Sequence, residues 1–96
     1  MDTDQAPHKS YLYTDRRNDK VAARFYYYGS LHRMSYEATL ECLEKEFDIS
    51  HSTLINIMKE KLHLLKQYEA DKESLKNLSR KYPFYNWQVA RHIMLG

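Results

Sequence analysis

YEATLECLEKEFDISHSTLINIMKE, residues 36–60, is the stretch that decides the fold of this chain. Tyr36, Leu40, Leu43 and Phe47 fall at i, i+4, i+7 and i+11, a single apolar face of an α-helix, with Glu37, Glu41, Glu44 and Lys45 on the rest of the cylinder. Ser35 stands where its hydroxyl can accept from a free N–H of the first turn, and Glu37 complements the positive end of the helix dipole. The spacing predicts a helix from Ser35 to about Phe47. After the connection FDIS, Ser50 supplies a second N-cap. Leu54, Ile57, Met58, Leu62, Leu65 and Tyr68 then form the buried stripe of a helix expected to reach Glu69.

Working outward, Val21, Phe25 and Tyr28 at i, i+4 and i+7, widened by Ala22 and Leu31, predict a helix over about 16–31. Asp15 is its expected N-cap, and Gly29 with Ser30 weakens or ends it. Residues 1–14 have no helical periodicity and are expected to be a mobile arm, with Tyr11 and Leu12 able to dock. Towards the other end, Leu75 and Leu78 belong to a further helix that stops at Tyr82, because Pro83 lacks an N–H and disfavours the α region in the residue before it. PFYNW follows, and QVARHIMLG is read as a final turn or two. The expected organisation is an arm (1–14), a helical domain (15–82) and an aromatic tail (83–96).

The whole is one small domain: 96 residues leave no room for a second core, and two Gly and two Pro provide little turn material for a β-sandwich or barrel. The expected class is all-α with four or five helices. A lone cysteine, Cys42, excludes an internal disulfide framework and suits a reducing compartment. No apolar run has the length of a membrane span and MDTDQAPHKS has no signal-peptide character, so a cytoplasmic protein is expected. The net charge of +2 is mild but segregated. Residues 15–34 and 70–96 are basic and 35–50 strongly acidic, an arrangement that suits docking on a polyanion as well as internal pairing.

Two helices joined by a short connection, with Leu43, Phe47, Ile49, Leu54 and Ile57 turned inward, follow the plan of a helix-turn-helix. Leu43, Phe47, Ile49-Ser50, Thr53-Leu54 and Ile57 resemble the bacterial helix-turn-helix of sigma-factor region 4, of Trp-repressor-like proteins and of short transposase-related reading frames of mobile elements. The last of these also often begin with a helix like RRNDKVAARFYYY. The resemblance covers about residues 16–60 and implies a double-stranded DNA-binding protein of a mobile element or transcription circuit, with no cofactor and no small-molecule substrate. It makes the helix after Ser50 the recognition helix, with His51, Ser52, Asn56 and Lys59 meeting base edges and Arg16, Arg17, Lys20, Arg24, Arg33 and Ser50 positioning the DNA backbone. Two positions depart from the pattern. Asp48 stands where Gly is usual, at an expected strain of about 1 kcal/mol, and Glu44 replaces a small residue, where a carboxylate is crowded unless the helix rotates.

Other constellations point elsewhere only weakly. Glu37, Glu41 and Glu44 occupy a polar helix face without a His partner or Gly-rich loop, so they are read as solvated rather than catalytic, and no enzyme is expected. The five histidines show no i, i+3 or i, i+4 pair, so no metal site is expected. Cys42 is read as a half-buried small hydrophobe. Tyr26 and Tyr27 are read as a protein interface in preference to nucleic-acid stacking, and the Tyr82, Phe84, Tyr85, Trp87 cluster as folded back over the core. Because one motif reads one half-site, a homodimer through Leu62, Leu65, Tyr68, Leu75, Leu78 and Trp87 is expected. The rival reading is a helical protein-interaction module that does not bind DNA.

Overall fold

The computed structural model describes the backbone of residues 2–87 and the side chains of residues 13–87. The stretch QVARHIMLG and the docking of Tyr11 and Leu12 lie outside the described residues. Five α-helices and no strand are found among the described residues: α1 (Asp2–Tyr26), α2 (Tyr36–Phe47), α3 (His51–Glu60), α4 (Leu62–Asp71) and α5 (Leu75–Lys81), with a π-helical turn at Tyr27–Leu31. The all-α class therefore stands. None of these helices is long and apolar enough to cross a membrane.

The central pair forms as its sequence dictates. Ser35 accepts from Ala38 N at the start of α2, and Ser50 accepts from Thr53 N at the start of α3. Between them Asp48 is left-handed, at φ 55° and ψ 50°, so the chain turns at the position where Gly is usual. Glu44 is not buried: it sits on the rim and its Oε2 lies 3.0 Å from His51 Nδ1, which ties the two helices together across the turn.

Helix α1 differs from its expected form. It begins at Asp2 rather than after an arm, and Asp15 lies inside it, drawn to Lys61 Nζ at 2.6 Å instead of capping a first turn. Val21, Ala22, Ala23 and Arg24 are all buried. A whole turn buried on every side means that α1 runs through the middle of the molecule, and the alanines let neighbouring helices approach closely. Val21 and Ala22 face one core with Leu40, Leu43, Leu54, Ile57 and Met58. Ala23, Tyr26 and Tyr27 face another with Tyr68, Leu78 and Trp87. At Tyr27 the helix widens by one residue per turn, and His32 N donates to Tyr27 O at 3.0 Å. This π turn absorbs Gly29 and Ser30 and rephases the side chains that follow.

The helix expected to continue from Ser50 to Glu69 is divided at Lys61, whose backbone leaves the helical region at φ −100° and ψ 19°. The side chain explains the break. Lys61 is buried, and its ammonium is held by Asp15 at 2.6 Å and Asp19 at 2.8 Å. Burial disfavours the charged amine, but the bonds from the two aspartates outweigh it and the Lys61 pKa is raised. Helix α5 ends with Tyr82 at its C-cap, before Pro83, as the spacing predicts.

The second core changes the assignment of several residues. Tyr68, Leu78 and Trp87 are buried within the chain, and Leu65 and Leu75 pack against them. Tyr68, Leu78 and Trp87 are therefore core and not a dimer surface; of the rest of the expected interface Leu65 and Leu75 are partly buried and Leu62 is exposed. Tyr26 and Tyr27 are also core rather than an interface. The reason is that Tyr26 packs on Tyr68 at 5.3 Å between centroids and donates to the Glu73 carbonyl at 2.8 Å, while Tyr27 meets Trp87 edge-on at 5.2 Å. Tyr36, expected in the α2 stripe, is half exposed and meets Phe25 edge-on at 6.1 Å between ring centroids.

Candidate nucleic-acid interface

Two surfaces gather the residues singled out by the sequence. The first is the outer face of α3. Leu54, Ile57 and Met58 turn inward, so Ser52, Asn56 and Lys59 are left exposed along the opposite side, with Ile55 half-buried beside them. His51 is half exposed and engaged with Glu44. The Ser50 hydroxyl is committed inside the chain: it accepts from Thr53 N at 3.3 Å and donates to Thr53 Oγ1 at 2.9 Å, with Ser52 Oγ 3.4 Å away. Its role is thus to cap the helix, and only the backbone around it is available to an anion.

The basic residues of α1 do not form one group. Arg24 is 3% exposed and belongs to the interior, which overturns its assignment as a DNA-backbone contact. Its Nε donates to Glu46 Oε2 at 2.6 Å, and its second terminal nitrogen to Glu46 Oε1 at 3.1 Å and to the Tyr28 hydroxyl at 2.8 Å. The remaining nitrogen donates to the Asn86 carbonyl. Rings of Tyr27, Tyr28, Tyr85 and Trp87 surround the guanidinium, the nearest centroid at 4.4 Å. An always-charged planar cation inside a ring of π faces and bonded to a carboxylate is a stable way to bury Arg. Burial, reinforced by the bond to Glu46, drives the Tyr28 phenol pKa far above its ordinary value.

Arg17 is half-buried and donates to Asn18 Oδ1 from Nε at 3.2 Å and from a terminal nitrogen at 3.0 Å, while Asn18 Nδ2 donates to Glu60 Oε1 at 3.3 Å. With the Lys61 bridges to Asp15 and Asp19, these bonds fix residues 15–20 of α1 against the C-terminal end of α3. That is one helix length, about 15 Å, from Ser50. Arg33 lies apart from both, exposed in the connection to α2 with φ 57°.

The second surface lies beside α1. Arg16, Asp19 and Lys20 form one wall of a cleft of about 230 Å³, and Lys81, Tyr82, Phe84 and Tyr85 form the other. No family model, curated protein or solved structure matches the chain. What either surface does follows from its own chemistry. Arg16 and Lys20 stand one turn apart on α1, and neither has an ion pair among the described residues. Asp19 is already engaged by Lys61, so the cleft is cationic in effect.

The sequence reading singled out Arg16 and Lys20 but missed their partners Lys81 and Tyr82–Tyr85 as part of a site. The signal was the packing of three aromatics into five residues after a proline. It marks an aromatic cluster but not which ring is left outside, and Phe84, at 92% exposure, is that ring. Cys42 is half-buried as expected, and burial raises its thiol pKa.

Proposed function

We propose that the protein is a sequence-specific double-stranded DNA-binding protein in which α2 and α3 work as a helix-turn-helix, and that it acts by binding rather than by catalysis. The observation that carries this reading is the outer face of α3. A capped helix presents Ser52, Asn56 and Lys59 to solvent, while its inner face is locked to α2 by Leu54 and Ile57. In this reading α3 enters the major groove by its first turns. Asn56 has the paired donor and acceptor that match an adenine edge, Lys59 reaches a guanine or a phosphate, and the backbone N–H groups around Ser50 meet a phosphate. In the same reading the His51 ring, 3.0 Å from Glu44 Oε2, faces the groove. A mobile-element accessory factor or a transcription regulator fits this chemistry equally.

A protein-interaction module is the second reading, and half-buried Ile55 on the same face favours it. Its other expected supports, Tyr26, Tyr27 and Trp87, are buried within the chain and unable to receive a partner.

The experiment is a titration of the wild type and of Asn56→Ala against a selected duplex and a scrambled one over a salt series. Wild-type affinity is expected to fall steeply with salt, and Asn56→Ala to weaken the selected site by about 1–3 kcal/mol while leaving the scrambled duplex unchanged. Equal losses on both duplexes would remove sequence reading from α3. Absence of any duplex binding at low salt would overturn the DNA reading as a whole.

A further inference from the structure

The cleft beside α1 combines features that the α3 surface lacks. Tyr82, Pro83, Phe84 and Tyr85 make a turn in which Tyr85 N approaches Tyr82 O at 3.4 Å, with Pro83 pre-setting the backbone at its second position. Trp87 Nε1 donates to the same Tyr82 carbonyl at 2.6 Å, and Arg24 holds the Asn86 carbonyl. The Tyr85 ring packs against Phe47, tilted by 40° at 5.7 Å between centroids. The turn is thereby anchored on three sides, and at its tip the Phe84 ring stands in solvent at 92% exposure. Among the described residues no packing partner explains a large apolar ring in that place. Around it are Arg16, Lys20 and Lys81, the last with its Nζ 5.7 Å from the Tyr82 ring.

We propose that this cleft binds an unpaired nucleotide, its base stacked on Phe84 and its phosphate held by Arg16, Lys20 and Lys81. The choice of a nucleic acid as occupant rests on the DNA-binding reading, but the chemistry of the cleft supports it separately. A volume of about 230 Å³ is below the range of drug-sized pockets and suits one flat ring system. An acidic peptide satisfies the three cations yet leaves the ring without use. A nucleotide places a π face and a negative charge in one unit, the combination by which single strands are held with little sequence preference. In a protein whose α3 reads a duplex, such a cleft holds a frayed, extruded or single-stranded nucleotide next to the site.

The test uses the full chain with labelled oligo-dT of twelve nucleotides, thymidine monophosphate and the duplex selected for α3. Phe84→Ala removes only an exposed ring, so it is expected to fold as the wild type. It should weaken oligo-dT binding by about 5- to 150-fold, the range of one stacked base, with duplex affinity unchanged. Lys20→Gln should lower the magnitude of the single-strand salt slope by about 0.7. Competition by thymidine monophosphate that Phe84→Ala abolishes would identify the free nucleotide as a sufficient ligand, and its absence together with oligo-dT binding would identify the strand. Oligo-dT affinity insensitive to Phe84→Ala, or displacement by polyglutamate at equal charge concentration in wild type and variant alike, would overturn the proposal. The two readings fail separately: loss of duplex binding with Phe84-dependent oligo-dT binding removes the α3 function alone, whereas duplex binding without oligo-dT binding removes the cleft alone.

Discussion

Arg24 is the residue on which the two halves of the molecule meet. Its guanidinium joins Glu46 of α2 to the carbonyl of Asn86 and to four aromatic rings, so one side chain from α1 fixes both the central helix pair and the returning aromatic segment. A basic residue in an Arg-rich stretch reads from sequence as a surface cation, and only its neighbours in space reverse that reading. Arg24→Ala leaves the Glu46 carboxylate, 18% exposed, without its counter-charge and with only the Tyr28 hydroxyl donating to it at 2.6 Å. The expected loss is about 3–5 kcal/mol of stability, measured by denaturant unfolding. Arg24→Lys should recover only part of it, because an ammonium cannot make the forked contact to Glu46 or lie flat among the rings. Full stability of the lysine variant would contradict this account.

At the scale of elements, α2 and the start of α3 were legible almost to the residue, because each is amphipathic and capped by its own serine. The joint between α3 and α4 was not. A run of apolar residues from Leu54 to Tyr68 keeps helical spacing across Lys61, and nothing local marks the break; it arises because Asp15 and Asp19, more than forty residues earlier, draw the Lys61 ammonium inward. Lys61→Ala is therefore expected to destabilise the fold by about 1–3 kcal/mol, the scale of hydrogen bonds to charged groups. It should also raise helicity slightly as α3 and α4 approach one continuous helix. Circular dichroism and urea unfolding of the same variant check both. A loss of stability no larger than that of Lys66→Ala, on the exposed side of α4, would show that the bridge is incidental.

Across the whole molecule, the most distinctive property is a core rich in phenols. Burial raises the pKa values of Tyr26, Tyr27, Tyr28, Tyr68, Tyr82 and Tyr85. Bonds from Asp15 and Asp19 raise that of Lys61 against its burial. Below about pH 10 folded and unfolded chains hold these protons alike. Above it the unfolded chain releases them first, so stability falls as pH rises, by about 1.4 kcal/mol per pH unit for each proton retained only in the folded state. A denaturant midpoint markedly lower at pH 11 than at pH 9 is expected, and an unchanged midpoint would show that the phenols are not held in the core. The same core settles the fate of the expected dimer surface. Tyr68→Ala and Trp87→Ala should each lower stability by about 3–5 kcal/mol, with melting temperatures independent of protein concentration. Melting that shifts with concentration would return these residues to an interface.

By itself the sequence determined the all-α class, the bounds and cap of α2, the capped start of α3, the left-handed turn at Asp48 and the stop of α5 before Pro83. Each follows from interactions within a few residues: periodicity, a capping hydroxyl, a missing N–H. Tertiary structure decided which cations are free. Arg24 and Lys61 are consumed inside the chain, whereas Arg16, Lys20 and Lys81 line the cleft. It also decided which aromatics are core: Tyr26, Tyr27 and Trp87 are buried together while Phe84 is left outside. Burial of a charge or a ring depends on partners brought together from distant parts of the chain, and no local pattern encodes their meeting.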